Sequence, residues 1–141
     1  MTEGQGVPLA FNVTAANISE VTVGLDVVDR VRVPRPRGRP RQRPTELAAD
    51  RSYDSAAFRR ALRARRIRPS IPQRQGSDRK RRPGRPPKVH EVSQFRWKVE
   101  RTHGWLDNWR RLVVRYDRHV ASYSAFLTLA CIMTTLSKIS G

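Results

Sequence analysis

The chain has 141 residues, of which 29 are Lys or Arg and 12 are Asp or Glu, so its formal net charge at pH 7 is +17. This length allows one domain, or part of one, and excludes two full-sized domains. The charge indicates a polyanionic partner, nucleic acid first and an anionic membrane second. The single Cys excludes an intramolecular disulfide and a Cys-based zinc site, and the His residues lack metal-ligand spacing.

The first segment, residues 1–29, is predicted to begin the core with a strand and a helix. Val7–Ala15 follows a Gly-containing turn and has the composition of a strand. Ser19–Val31 is predicted to be a short helix, because Ser19 can cap it and several Val residues fall on one side.

Two stretches rich in Arg and Pro interrupt this pattern. Arg30–Pro44 contains seven Arg and no acidic residue, and Arg79–Lys88 contains six basic residues. Pro at this density excludes helices and central strands. We therefore predict two exposed, disordered basic segments, a loop over 30–44 and a linker over 73–90.

The first basic loop contains the sequence Pro-Arg-Gly-Arg-Pro at Pro36–Pro40. Such a sequence is typical of an arm that enters the narrow minor groove of A·T-rich DNA, here through Arg37 and Arg39. The alternative is a loop that binds phosphate without sequence preference, for which the density of Arg suffices.

Residues 45–72 are predicted to contain a strand, a helix and a strand, at Thr45–Ala49, Ser55–Arg66 and Ile67–Ile71. The helix would face the core with Phe58 and Leu62, which are four residues apart. Asp50 would stand at the carboxyl end of the first strand. Strands that alternate with helices indicate an α/β fold with parallel pairing.

The last segment, residues 91–141, is predicted to form two helices. Val92–Val114 has apolar residues at three- and four-residue spacing, namely Phe95, Val99, Thr102, Leu106, Trp109 and Val113. Val120–Ser137 has no charged residue, and its Ser and Thr content and helical spacing favour a buried amphipathic helix over a membrane span. Three Trp, at 97, 105 and 109, either stack on a base or simply pack together.

Three acidic residues stand at predicted element ends or beside the core, and they are Glu3, Asp50 and Glu100. Mg²⁺ prefers carboxylate oxygens, and two such ions can promote phosphodiester transfer. The structural alternatives are a cap or turn role for Asp50 and a helical ion pair of Glu100 with Arg96.

Four blocks of the sequence resemble insertion-sequence transposases of the DDE type, and they are Gly4–Thr22, Leu47–Pro72, Phe95–His119 and Ala121–Leu136. The resemblance implies a ribonuclease H-like fold, here an incomplete α/β fold with a small mixed sheet flanked by helices. It implies Mg²⁺-dependent DNA strand cleavage and strand transfer, with Mn²⁺ able to substitute. The implied partner is double-stranded DNA, at the transposon ends and at the target site. The implied location is the cytoplasm, with no membrane partner. The resemblance leaves open whether the protein is a homodimer.

Residue by residue, the resemblance makes Asp50 the second acid and Glu100 the third, and it places the first acid at Glu3. Arg96 matches the Arg of the family's Tyr-x2-Arg-x3-Glu-x6-Lys signature, in which Ser93 and Asp107 here replace Tyr and Lys. The residues expected to contact DNA are Arg37, Arg39, Arg96, Arg110 and Arg111. The resemblance begins inside the family's catalytic domain, so we expect a truncated transposase. A non-catalytic basic DNA-binding protein is the alternative.

Overall fold

The computed structural model describes residues 1–15, 17–73 and 93–139, and over residues 93–96 it describes the backbone alone. Its regular elements, in chain order, are α1 Glu20–Asp29, β1 Glu46–Ala48, a 3-10 helix Arg51–Tyr53, α2 Ala56–Ala64, β2 Arg68–Ser70, α3 Ser93–Asp107, α4 Arg110–Val113 and α5 Val120–Ile139.

A β1–α2–β2 unit forms the centre of the fold. The two strands pair in parallel, with Glu46 opposite Arg68 and Ala48 opposite Ser70. Parallel strands need a crossover between them, and α2 provides it. Both strands and the helix occur where the sequence predicts them, one or two residues shorter at their ends. The architecture is consistent with the α/β class.

Local sequence explains why α2 begins and how it packs. The Ser55 side chain accepts a hydrogen bond from the Phe58 amide at 3.4 Å, which satisfies one of the free amides of the first turn. Phe58 is 4% exposed and Leu62 is 0% exposed, so the predicted apolar face of the helix is confirmed. These side chains form the core cluster with Val28, Ile67 and Ile71.

Helix α1 packs against α2 and the 3-10 helix and completes this core. It begins after Ser19 as predicted, but the Ser19 side chain makes no capping hydrogen bond. Instead the Ser19 carbonyl accepts from the Thr22 amide at 3.0 Å and from the Thr22 hydroxyl at 2.6 Å. Val28, near the end of α1, reaches the core and is 2% exposed.

Two helical glycines should respond oppositely to alanine. A Cβ at Gly24 in α1 would lie 3.0 Å from the rings of both Tyr53 and Phe58, whereas a Cβ at Gly104 in α3 would meet nothing within 4 Å. Ala favours a helix over Gly by about 1 kcal/mol. We expect Gly104→Ala to raise the free energy of unfolding by up to that amount, and Gly24→Ala to lower it because the rings must shift. Urea unfolding of both variants tests this, and a stabilised Gly24→Ala would contradict the close α1–α2 packing.

The predicted strand Val7–Ala15 is wrong. Pro8 makes an isolated antiparallel bridge with Thr2, and residues 7–15 contain no regular strand. Pro has no amide hydrogen to donate, and the Leu9 amide donates to the Met1 carbonyl at 3.0 Å rather than to a neighbouring strand. The segment is therefore an extended chain that folds back on its own first residues.

The predicted long helix Val92–Val114 is broken, because α3 ends at Asp107 and α4 begins at Arg110. Of its predicted apolar stripe, Thr102 is 3% exposed, whereas Val99, Trp109 and Val113 are at least 40% exposed. The pattern was sufficient to predict a helix but not which of its residues are covered, since Thr102 meets the N-terminal turn while Val99 and Trp109 are exposed.

Helix α5 is confirmed, but its predicted burial is wrong. Ala130 and Thr134 are buried, whereas four larger side chains are about half exposed, namely Leu129, Ile132, Met133 and Leu136. By length and composition alone α5 could cross a membrane, and 11% of its most apolar window is buried.

Residues 34–43 of the basic loop are exposed as predicted, whereas Val31 at its start is 3% exposed, and the loop is not the disordered loop that we expected. Val33 and Arg41 exchange two backbone hydrogen bonds, which close the loop between them. Beyond Gln73, the predicted linker 73–90 lies outside the described residues.

Candidate catalytic and DNA-contacting residues

Asp50 follows β1 at the carboxyl end of the parallel pair. Parallel α/β sheets bind their ligands at this end. One carboxylate oxygen of Asp50 accepts from the Ser52 amide at 2.9 Å and also from the Ser52 hydroxyl. Asp50 thereby caps the 3-10 helix Arg51–Tyr53, and it is exposed to solvent. The predicted position of Asp50 at the end of the strand is confirmed. The cap role, which was the structural alternative for Asp50, is also observed.

Tyr53, three residues after Asp50, has a shifted pKa. Burial, the negative charges of Glu20 and Asp50, and a hydrogen bond with Glu20 together raise the pKa of the Tyr53 phenol to about 12, and burial is the largest cause. The folded state therefore disfavours tyrosinate at this position.

We expect this phenol to make stability depend on alkaline pH. The folded pKa lies above the ordinary value of 10.0, so the contribution of Tyr53 to stability is complete below pH 10 and is lost as the pH rises to about 12. Urea unfolding across this range should show the loss in the wild type and a smaller loss in Tyr53→Phe. Tyr116, which is 75% exposed, gives the control variant Tyr116→Phe. An unchanged pH dependence in Tyr53→Phe would contradict the assignment.

Glu3 lies in a tight turn that its own side chain stabilises. The Glu3 carboxylate accepts from the Gln5 amide at 2.6 Å and from the Val7 amide at 3.2 Å. The Glu3 amide in turn donates to the Val7 carbonyl at 2.9 Å. Gly6 has a φ of +89°, a conformation that L side chains rarely adopt, so the turn needs glycine there.

Helix α3 holds this turn through three side chains on one face. They donate to three successive carbonyls, in the pairs Lys98 to Gly4, Arg101 to Gln5 and Thr102 to Gly6. The sequence analysis missed these contacts. Donors at i, i+3 and i+4 on a helix, together with a Gly-containing turn that exposes its carbonyls, are the signal that could have indicated them.

Glu100 is exposed on a different face of α3. At 3.6 residues per turn, it lies about 150° around the helix from the centre of the face that contacts the turn. The Glu3 turn and the Glu100 side chain therefore lie on different sides of α3. Among residues 1–15, 17–73 and 93–139, no three His, Cys, Asp or Glu side chains form a group that could hold a metal ion. The three-acid assignment stays a prediction of the resemblance.

Arg101 is held between two of the three Trp residues. Its guanidinium lies 4.6 Å from the centre of the Trp97 ring and 4.8 Å from that of Trp105. Lys138 of α5 lies 4.2 Å from the Trp105 ring. Trp97 and Trp105 thus pack on a cation, but Trp97 is 50% exposed and Trp109 is 40% exposed, so stacking on a base stays a prediction. This stack joins α3 to both the N-terminal turn and α5.

Arg110 and Arg111 differ in how far they are engaged by the chain. Arg111 stacks on Phe126 at 4.2 Å and lies 3.8 Å from an Asp117 oxygen. Arg110 is exposed and lines the same surface hollow as Asp107. A guanidinium is thus present beside the position where the family signature has Lys, and Arg110 is the more available of the two. The side chain of Arg96 lies outside the described part of α3.

Comparison with known proteins identifies the family. The family described as "Transposase DDE domain" matches residues 1–135. A protein of Burkholderia cepacia, named as the inferred transposase for insertion sequence element IS402, is 42% identical over 132 residues, which are 93% of this chain and 58% of that relative. No solved structure matches the chain. The chain belongs to the DDE transposase family of insertion sequences, as its sequence blocks predict, and it spans little more than half the length of this relative.

Proposed function

We propose that the chain takes part in DNA transposition as a DDE-type transposase, which cleaves and transfers DNA strands with Mg²⁺, or with Mn²⁺ in its place. The observation that carries the proposal is the family match over residues 1–135. The parallel β1–β2 pair with Asp50 at its carboxyl end supports it, because a ribonuclease H-like fold places an acid there. The net charge of +17 suits a DNA partner.

Asp50 and Glu100 are the residues that we propose to hold divalent metal ions. Both are exposed carboxylates, and carboxylate oxygens are the ligands that Mg²⁺ prefers. When bound, such ions would stabilise the negative charge that develops on the phosphate and would lower the pKa of a bound water. Glu3 remains the proposed first acid, although its turn contacts a different side of α3 from Glu100 and its carboxylate already accepts two amides of that turn.

Arginine side chains are proposed to hold the DNA backbone near these acids. A guanidinium can donate two parallel hydrogen bonds to a phosphate, which fixes the strand as well as attracting it. Arg110 is exposed and can therefore reach a phosphate, and Arg96 lies one helical turn before Glu100.

We propose that the protein acts on DNA in the cytoplasm, with α5 packed within the assembled protein rather than in a membrane. We also propose that the chain forms a homodimer, since two-fold dimers are the commonest protein oligomers.

A nicking assay tests the proposal directly. The chain is incubated with supercoiled plasmid in Mg²⁺, in Mn²⁺ or in EDTA, and relaxed circles are counted. Nicking that needs the divalent ion is the expected result. Salt-sensitive DNA binding without nicking in either metal would instead support a non-catalytic basic DNA-binding protein. In a parallel arm, Glu3→Gln keeps an acceptor for the turn amides but loses the charge, so reduced nicking there would support Glu3 as an acid of the site.

A further inference from the structure

The loop between Val33 and Arg41 is closed at its base. The Val33 amide donates to the Arg41 carbonyl at 2.9 Å, and the Arg41 amide donates to the Val33 carbonyl at 2.8 Å. The Arg41 guanidinium also donates to the Thr45 hydroxyl at 3.0 Å, one residue before β1 begins. The loop therefore projects from a base that is fixed to the core unit.

The tip of this loop presents arginines without partners. Arg35, Arg37 and Arg39 are exposed, and within the described part of the chain none of them makes a hydrogen bond or an ion pair. By contrast, Arg59 pairs with Asp54 at 2.9 Å and Arg65 pairs with Asp29 at 2.7 Å. Positive charge is thus concentrated on a narrow projection with no acidic residue to neutralise it.

The backbone at the tip is bare and conformationally restricted. Gly38 has a φ of +85°, and a Cβ placed there would meet nothing within 4 Å. Arg37 and Arg39 flank this glycine, so two guanidiniums extend beside a stretch of backbone that carries no side chain. Pro36 and Pro40 fix φ on either side, which lowers the conformational entropy that binding removes.

We propose that the loop 34–40 is an arm that enters the minor groove of A·T-rich duplex DNA through Arg37 and Arg39. The narrow minor groove of A-tracts has an enhanced negative potential that attracts Arg, and guanidinium is more weakly hydrated than ammonium. A loop that only neutralised phosphate would not need guanidinium in particular, since ammonium carries the same charge. The arm adds recognition of DNA shape to the proposed function and does not depend on the acidic residues.

The test compares affinities for three duplexes of equal length in EDTA, by fluorescence anisotropy of the full chain. Their central tracts contain A·T, G·C or inosine·C pairs. Inosine·C lacks the guanine amino group and so resembles A·T in the minor groove, but it resembles G·C in the major groove. We expect roughly tenfold tighter binding to A·T than to G·C, with inosine·C close to A·T.

The variant Arg37→Lys/Arg39→Lys keeps the charge and should reduce this preference to about twofold or less, with G·C affinity nearly unchanged. The control Arg60→Lys/Arg63→Lys changes two exposed arginines of α2 and should keep the preference. Equal binding to all three duplexes, inosine·C binding like G·C, or a preference that survives in Arg37→Lys/Arg39→Lys would each overturn the proposal. Because no metal is present, a failure of nicking leaves these results unaffected.

Discussion

Glu100→Gln is expected to reduce metal-dependent DNA nicking by roughly 100-fold or more while leaving DNA affinity within about twofold. The substitution removes the negative charge of a proposed metal ligand but keeps the size and polarity of the side chain. Glu100 is exposed on α3, so the free energy of unfolding should change by no more than about 0.5 kcal/mol. The loss would therefore be chemical rather than structural.

A matched control lies on the same helix. Asp107 is exposed and is seven residues, about two turns, from Glu100, so Asp107→Asn removes the same charge from the same element. We expect Asp107→Asn to nick DNA at least as well as the wild type, because it removes a group that repels phosphate. Equal losses in Glu100→Gln and Asp107→Asn would show a general charge effect and contradict a ligand role for Glu100.

Mn²⁺ alone provides a measurement that does not depend on turnover. Electron paramagnetic resonance of free Mn²⁺ gives its affinity for the chain. If Asp50 and Glu100 share an ion, Asp50→Asn and Glu100→Gln should each weaken Mn²⁺ binding strongly, and the double variant should lose little more. Additive losses, or an affinity that neither substitution changes, would count against a shared ion.

Leu62→Ala is expected to lower the free energy of unfolding by about 3 kcal/mol, within the usual range of about 2–5 kcal/mol for such changes. Leu62 is 0% exposed at the centre of the core cluster, so its truncation removes buried apolar surface and leaves a cavity. Small domains are stable by only about 5–15 kcal/mol, so this single change removes a large share of the total.

Leu129→Ala is the matched control, since Leu129 is 56% exposed on α5. Its effect should stay below about 1 kcal/mol, because much of the side chain is already in contact with water. Urea unfolding followed by circular dichroism measures both variants. Similar losses at the two positions would mean that α5 is as deeply packed as α2, contrary to the structure.

The segment that was predicted best is the β1–α2–β2 unit. Ser55 at the cap and Phe58 and Leu62 on one face determine α2 through contacts within a few residues, and these are visible in the sequence. The position of Asp50 after β1 follows from the same local reasoning. Local signals were sufficient here because the two strands and the helix between them form one continuous stretch of chain, from Glu46 to Ser70.

Predictions that depended on distant partners were less successful. The apolar pattern of α5 predicted a helix correctly, but burial needs a covering element, and Leu129 and Met133 have little cover within the described chain. The strand predicted at Val7–Ala15 does not form for the same reason, because no neighbouring strand of the described residues pairs with it. The contact of Thr102 with Gly6 joins residues 96 positions apart, so the spacing of donors along α3 could indicate a contact face but not which segment meets it.

The stack of Trp97, Arg101 and Trp105 gives the protein an internal optical reporter. Indole fluorescence responds to adjacent charge and to water, and two of the three tryptophans contact the guanidinium that also holds the N-terminal turn. Trp109 is 40% exposed beyond the end of α3, so its emission should resemble that of a solvated indole. The emission spectrum of the unlabelled chain will therefore follow whether α3 remains attached to residues 3–6 as conditions change.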